Sequence, residues 1–288
     1  MGAIYWVFMH KMIKKNLFEC ELCKKKDSTT ILNKIRNANF GNYIDFDVKI
    51  CLHCCLIQLH NFTNNVEKKN YYKHDYLKDT YNYDTPPQDY IDDQKVRGKK
   101  IYNFIAKNKK IFNRPLDQLR IIDIGCGTGG TLDYFIGKSK SIVGIDPIIN
   151  SVKLAKKLGY NVSQGFLENL KVKSNSFDIV ILLGTIEHAY DLNKAVKECK
   201  RILSEDGKII IRWRSNKLWG SPIEYFNTNH YRYFNIDTFK FLAKKHKLNF
   251  VLNTNEEVEN KPGAEYLILS KEKKFINKYT FKKDTYKK

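Results

Sequence analysis

From Pro115 onward the apolar residues fall into short runs separated by amphipathic stretches. "RIIDI" (120–124), "SIVGID" (141–146), "FDIVILL" (177–183) and "KIIIRW" (208–213) are compact apolar runs of strand length. Between them, "TLDYFIGK" (131–138), "NSVKLAKKLG" (150–159, closed by Gly159) and "LNKAVKECKRIL" (192–203) carry apolar residues at helical spacing, the last followed by the turn "SEDG". Strands alternating with helices of about ten residues predict an α/β fold, a largely parallel sheet covered on both faces. Such sheets bind ligands beyond the carboxyl ends of their strands.

Upstream the pattern differs. Residues 63–90 are polar and tyrosine-rich, and Pro86 and Pro87 interrupt the chain. "YIDDQKVRGKKIYNFIAKN" then turns helical, with Ile91, Val96, Ile101, Phe104 and Ile105 in loose helical register. We read 63–118 as a connecting and capping segment, 119–271 as the α/β domain and 272–288 as a basic tail; no internal repeat is visible.

The net charge of +20 invites an anionic partner, but only eight of the 51 basic residues are Arg and the lysines are spread along the chain. Nucleic-acid readers cluster arginine, so nucleic acid is not the expected partner. The opening "MGAIYWVFM" is far shorter than the roughly 20 apolar residues of a membrane span and lacks the basic start of a secretory signal. Residues 1–17 are read as an N-terminal extension and the protein as soluble and cytoplasmic.

Five of seven cysteines crowd into residues 20–55 as "CELC" and "CLHCC". Without an export signal, paired cysteines indicate metal rather than disulfides. Cys20 and Cys23 form one C-x2-C, Cys51 and Cys54 another, with 27 residues between them. Two such turns close a tetrahedral thiolate site, so 18–62 is read as a small structural zinc module. His53 and Cys55 are the alternative ligands; Cys126 and Cys199 are isolated packing residues.

"IIDIGCGTGG" (121–130) is the stretch richest in glycine. Gly125, Gly127 and Gly130 satisfy the dinucleotide spacing G-x-G-x-x-G, and Asp146 at the end of the next strand suits a ribose for either of two cofactors, a nicotinamide dinucleotide or S-adenosylmethionine. Asp123, two residues before the first glycine, repels a pyrophosphate and tolerates the ammonium of an amino-acid end.

The ordered set "IIDIGCGTGG", "IVGIDP", "FDIVILLGTIEHAYD", "ILSEDGKIII" and the final "AEYLILSK" resembles class I S-adenosylmethionine-dependent methyltransferases. With the two cysteine pairs, "NYYKHDY" and "NTNHYRYFNIDTFKFLAKKHKL", the chain resembles a subgroup in which a zinc ribbon precedes that domain, often linked to bacterial sugar and surface-polysaccharide modification. The resemblance implies a seven-stranded Rossmann-like sheet with its last strand antiparallel. It implies a methionine site at Asp123, Gly125, Cys126, Gly127 and Gly129, and a ribose site at Asp146 beside Pro147. Phe166, Leu167 and Glu168 fall at the adenine, although relatives often carry an acid where this chain has Phe166. Tyr72 and Tyr76 would fold over the cofactor.

The expected reaction is methyl transfer to a small hydroxylated acceptor, a sugar or sugar-phosphate. A sulfonium is already electrophilic, so alignment, exclusion of water and a base for the hydroxyl proton are what the chain must add. His188 in "GTIEHAYD" and His230 in "NTNHYRYFN" are the candidate bases, and Glu187 is expected to orient its neighbours. Arg232, in the same loop as His230, is expected to pair an acceptor phosphate. The competing functions are an RNA methyltransferase and an NAD-dependent oxidoreductase.

Overall fold

The structure is a computed structural model and describes residues 18–39, 42–61, 65–74, 76–81, 85–214, 226, 230–254 and 264–272. The expected N-terminal extension and the tail beyond Glu272 lie outside the described residues.

The chain begins with the strands β1 (Ser28–Asn39), β2 (Asn42–Cys51) and β3 (Ile57–His60). The helices α1 (Asn65–His74), α2 (Tyr76–Tyr81) and the 20-residue α3 (Gln88–Lys107) follow. The α/β part then runs β4 (Arg120–Ile124), α4 (Gly130–Asp133), β5 (Ser141–Asp146), α5 (Ile149–Lys157), β6 (Val162–Gln164) and β7 (Phe177–Leu183). It continues with α6 (Leu192–Ile202), β8 (Leu203–Arg214), β9 (Arg232–Tyr233), α7 (Ile236–Lys245), β10 (Asn249–Asn253) and β11 (Ala264–Ser270).

The main sheet has seven strands in the order β10-β11-β8-β7-β4-β5-β6. Strands β4 to β8 pair in parallel, while β11, the last in sequence, is antiparallel to both its neighbours, as expected. Every residue of β7 is buried, because helices cover both faces of a central parallel strand and leave no polar side to alternate. The "SEDG" turn is absorbed as an irregularity in β8, where Leu203 and Lys208 oppose Phe177 and Ile179. "TLDYFIGK" forms a helix only over its first residues, within α4 (Gly130–Asp133). Asp191 and Asn235 cap α6 and α7, accepting from the amides of Lys194 and Thr238.

One face of the sheet is covered by α3, whose Ile101, Phe104 and Ile105 join Ile121, Ile179 and Tyr266 in a buried cluster. Val96 does not share that face and is exposed. Gln94 and Gly98 are buried instead, because α3 presses its backbone onto the glycine-rich loop. A Cβ on Gly98 would stand 2.6 Å from the Thr131 carbonyl oxygen. Alanine favours a helix interior by about 1 kcal/mol, but that contact is with backbone that cannot turn aside. Gly98→Ala is therefore expected to lower stability by about 1–2 kcal/mol, read by urea unfolding; a stabilised variant would show that α3 does not approach this closely.

The other face is covered by α6 and α7 together with the cysteine-bearing segment. Leu22 and Leu56, both fully buried, share one cluster with Leu192, Val196 and Phe239. The strands β1, β2 and β3 form a second sheet completed by β9, through Ile57↔Tyr233 and Gln58↔Arg232. The segment read as a loop around residues 230–235 thus supplies an edge strand to the N-terminal sheet.

Candidate active site

The strand order reverses on either side of β4, which has β5 on one flank and β7 on the other. Loops leaving neighbouring parallel strands in opposite directions open a crevice at this point. A cavity of about 870 Å³ lies there, bordered by Gly125 after β4, Asp146 and Pro147 after β5, and Thr185 and His188 after β7.

The glycine loop is shaped by two demands. Gly125, Gly127 and Gly129 have positive φ, a conformation that costs a side-chain-bearing residue. At Gly127 a Cβ would also lie 2.2 Å from Gln94 Nε2, so the loop is tight against α3 as well. Gln94 Oε1 accepts from the Thr128 amide and hydroxyl at 3.2 and 2.7 Å and fixes the loop from outside.

Asp146 Oδ2 accepts from the Gly127 amide at 2.8 Å and its Oδ1 from the Ile148 amide at 2.9 Å. A carboxylate has about four lone-pair positions, so two remain for ligand hydroxyls. Burial pushes Asp146 up to about 6. Asp123 is almost fully buried and is not itself among the lining residues, although Ile124 and Gly125 next to it in the chain are, and its Oδ1 has no hydrogen-bond partner among the described residues. Burial, and then the charge of Asp146, pushes Asp123 up to about 7. Two buried carboxyls, one with an open oxygen, make an environment that favours a cation and opposes a pyrophosphate.

Phe166, Leu167 and Glu168 line the cavity as expected. Phe166 meets Tyr190 edge to face at 5.9 Å, and Lys69 Nζ lies 5.3 Å from its ring centre. Glu168 Oε1 accepts from the Asp191 amide at 3.2 Å, and burial raises its carboxyl to about 7. Cys126 does not turn to the cavity. Its side chain packs with Leu132, Val152 and Tyr160, with the sulfur against Gly144, which leaves only its backbone for a ligand. Gly127 and Gly129 likewise lie behind the lining rather than in it.

Tyr72 and Tyr76 line the cavity opposite the sheet, carried by α1 and α2. The Tyr72 hydroxyl hydrogen-bonds His188 Nδ1 and also the Tyr231 hydroxyl. The rings of His188 and His230 are 4.7 Å apart, and ligand-capable atoms of Glu187, His188 and His230 all lie within 4.8 Å of one another. His188 borders the cavity; Glu187 and His230 stand behind it. Burial first, then His188 and Arg214, holds His230 well below the usual histidine range, so it is neutral. Glu187 Oε2 is buried without a hydrogen-bond partner among the described residues.

Tyr90, Gln94, Arg97, Lys69, Thr185 and Tyr190 also line the cavity and were not singled out from sequence. Arg232 is a correction. Its side chain is fully buried, paired with Glu21 and donating to backbone carbonyls, and it does not border the cavity, so it is not presented to an acceptor phosphate.

Around the turn that joins β2 to β3, Cys20, Cys23, Cys51 and Cys54 bring their four sulfurs within 4.8 Å of one another. Cys20 and Cys54 are 3.4 Å apart and Cys23 and Cys51 3.5 Å, all four unbridged. A tetrahedron with metal–sulfur bonds of about 2.3 Å has edges of about 3.8 Å, so the set fits one zinc ion. Cys55 and His53 are not members of this group. Among the described residues no helix is long and apolar enough to cross a membrane.

Residues 122–211 match the family described as a methyltransferase domain. The ubiquinone biosynthesis O-methyltransferase of Rattus norvegicus mitochondria is 31% identical over 110 residues, 34% of this chain and 31% of that protein. The ubiquinone biosynthesis O-methyltransferase of Pelagibacter ubique is 30% identical over 126 residues, 40% of this chain and 51% of that protein. The match thus spans about a third of the first relative and about half of the second. Among solved structures, an S-adenosylmethionine-dependent methyltransferase from Aquifex aeolicus aligns over 57% of this chain and 87% of its own, with a TM-score of 0.44 and 20% identity.

Proposed function

We propose that this chain, whose residues 122–211 form an S-adenosylmethionine-dependent methyltransferase domain, transfers a methyl group to a hydroxyl of a small-molecule acceptor. The observation that carries this reading is the open, buried Oδ1 of Asp123 beside Asp146, which suits the ammonium of the methyl donor and argues against a dinucleotide. The bound donor supplies an electrophilic sulfonium methyl. Asp146 takes the ribose hydroxyls, Phe166, Leu167 and Glu168 flank the adenine, and Tyr72 and Tyr76 shut out water from above.

His188 is the base in this reading. The Tyr72 hydroxyl meets His188 Nδ1 and holds the imidazole at the cavity wall, where a neutral ring can take up a proton. Neutral His230 packs behind it with its ring tilted, and Glu187 stabilises the imidazolium that forms. The relatives named above are O-methyltransferases of ubiquinone biosynthesis, which supports a hydroxyl acceptor and lends nothing to a sugar in particular. With Arg232 withdrawn, a phosphorylated sugar loses its expected partner; the aromatic walls suit an unphosphorylated sugar face or a phenolic ring.

Incubation with labelled donor and a panel of sugars, nucleotide sugars, phenols and RNA tests the reading, with transfer to a hydroxylated small molecule expected. Transfer to RNA alone, or tight NADH binding without S-adenosylhomocysteine binding, would replace it with one of the competing functions. His188→Gln is expected to cut transfer by about 10²–10⁴ and leave S-adenosylhomocysteine affinity within a few fold; an unchanged rate would remove His188 as the base. We further propose that the four cysteines hold one structural zinc ion.

A further inference from the structure

The arginine withdrawn from the acceptor site has another role. Arg232, on β9, reaches under the short turn Ile186–His188 that follows β7, where its Nη1 donates to the carbonyls of Ile186 and Ala189 at 3.2 and 2.6 Å. Its Nε donates to Glu21 Oε2 at 2.7 Å, and its Nη2 stands 2.6 Å from the same oxygen in an ion pair. Glu21 stands inside the first cysteine pair, and its other oxygen accepts from Lys68 Nζ at 2.9 Å. Lys68 is on α1 one turn before Tyr72, so the two share a helix face. A single carboxylate therefore ties down the turn that presents His188 and the helix that presents Tyr72, the two partners of the hydrogen bond at the cavity wall.

The backbone that carries this carboxylate is itself held. The Glu21 amide donates to Gln58 Oε1 at 3.0 Å, and the Glu21 carbonyl accepts from Asn193 Nδ2 at 2.6 Å. The side chains of Arg232 and Lys68 are 0% and 8% exposed, against 24% for Glu21, so these ion pairs escape most of the screening that weakens surface pairs.

We propose that Glu21 is a positioning residue for methyl transfer: through Arg232 and Lys68 it sets the geometry of the Tyr72–His188 pair, and it makes the cysteine module part of the active site rather than an appendage. This rests on the reading of the cavity as a methyl-transfer site. Displacements of about 1 Å in a reacting group cost about a hundredfold in rate.

The test uses the full zinc-loaded chain and Glu21→Gln, which keeps shape and removes the charge. Transfer is expected to fall about a hundredfold, with zinc content, S-adenosylhomocysteine affinity and acceptor KM close to those of the parent. The His188 imidazole NMR signals, assigned through His188→Gln, are expected to shift. If Glu21→Gln does not fold, Glu21→Asp, which keeps the charge and shortens the reach, carries the same expectation. Parent-like transfer with unshifted His188 signals overturns the proposal, and so does a loss of transfer matched by a loss of zinc or cofactor affinity. Should the parent bind the cofactor yet methylate none of the acceptors, the proposed function falls, and the His188 signals alone decide the role of Glu21.

Discussion

Asp146→Ala is expected to weaken S-adenosylhomocysteine binding by about a hundredfold or more. Hydrogen bonds to a charged acceptor contribute about 1.5–3 kcal/mol each, and two ribose hydroxyls lost together amount to about 3 kcal/mol or more. The effect is compounded because the same carboxylate holds the Gly127 and Ile148 amides, so the alanine variant also loosens the glycine loop. Asp146→Asn separates the two contributions: it keeps the shape and one acceptor, and a loss of about tenfold is expected. Calorimetric titration measures both, and an alanine variant with parent affinity would remove Asp146 from the site.

The same carboxyls set a pH dependence. Asp123 and Asp146 are raised to about 7 and about 6, above their unfolded values, so the folded chain binds protons there more tightly than the unfolded chain. Their ionisation therefore costs stability as pH rises through this window, and a bound cation offsets that cost. Affinity for the donor should rise from about pH 5.5 to about pH 8 and carry a release of protons.

Loss of one zinc ligand is expected to have a comparably large effect on the fold. Structural zinc contributes about 10–16 kcal/mol in isolated finger peptides, against a total stability of about 5–15 kcal/mol for a typical domain. Here the cysteine-bearing end of the module packs into the main core, since Leu22 and Leu56 are buried in the cluster that covers one face of the main sheet, while Phe46, Val48, Ile57 and Leu59 gather in a small cluster with Tyr233. Cys23→Ser should uncover that face and leave little soluble protein. A chelator should lower the Tm by roughly 10–20 °C, corresponding to about 5 kcal/mol for a chain of this size. Elemental analysis of the parent should find about one zinc per chain; full stability without metal would make the four sulfurs a packing feature.

The parallel strands were legible because burial on both faces leaves continuous apolar runs, as in β7. The glycine loop and the cysteine pairs were legible because positive φ and tetrahedral thiolate sites demand particular residues at particular spacings. What escaped was long-range or polar. The helix α3 buries Gln94 and Gly98 where apolar spacing suggested Val96, since its neighbour is a glycine loop with backbone groups to satisfy. The strand β9 has two residues, too few for any period, and exists by pairing with β3. The carboxylate that holds Arg232 lies 211 residues earlier, so a local reading gave that arginine to the substrate. The helices α1 and α2 turn tyrosines inward, which hydropathy counts as polar.

A crystal structure of the zinc-loaded chain with S-adenosylhomocysteine tests the central claim most directly. The expected result is one molecule in the cavity, its ribose hydroxyls on Asp146 and its amino group on the open oxygen of Asp123. An empty cavity at saturating concentration, or a ribose turned away from Asp146, would contradict it.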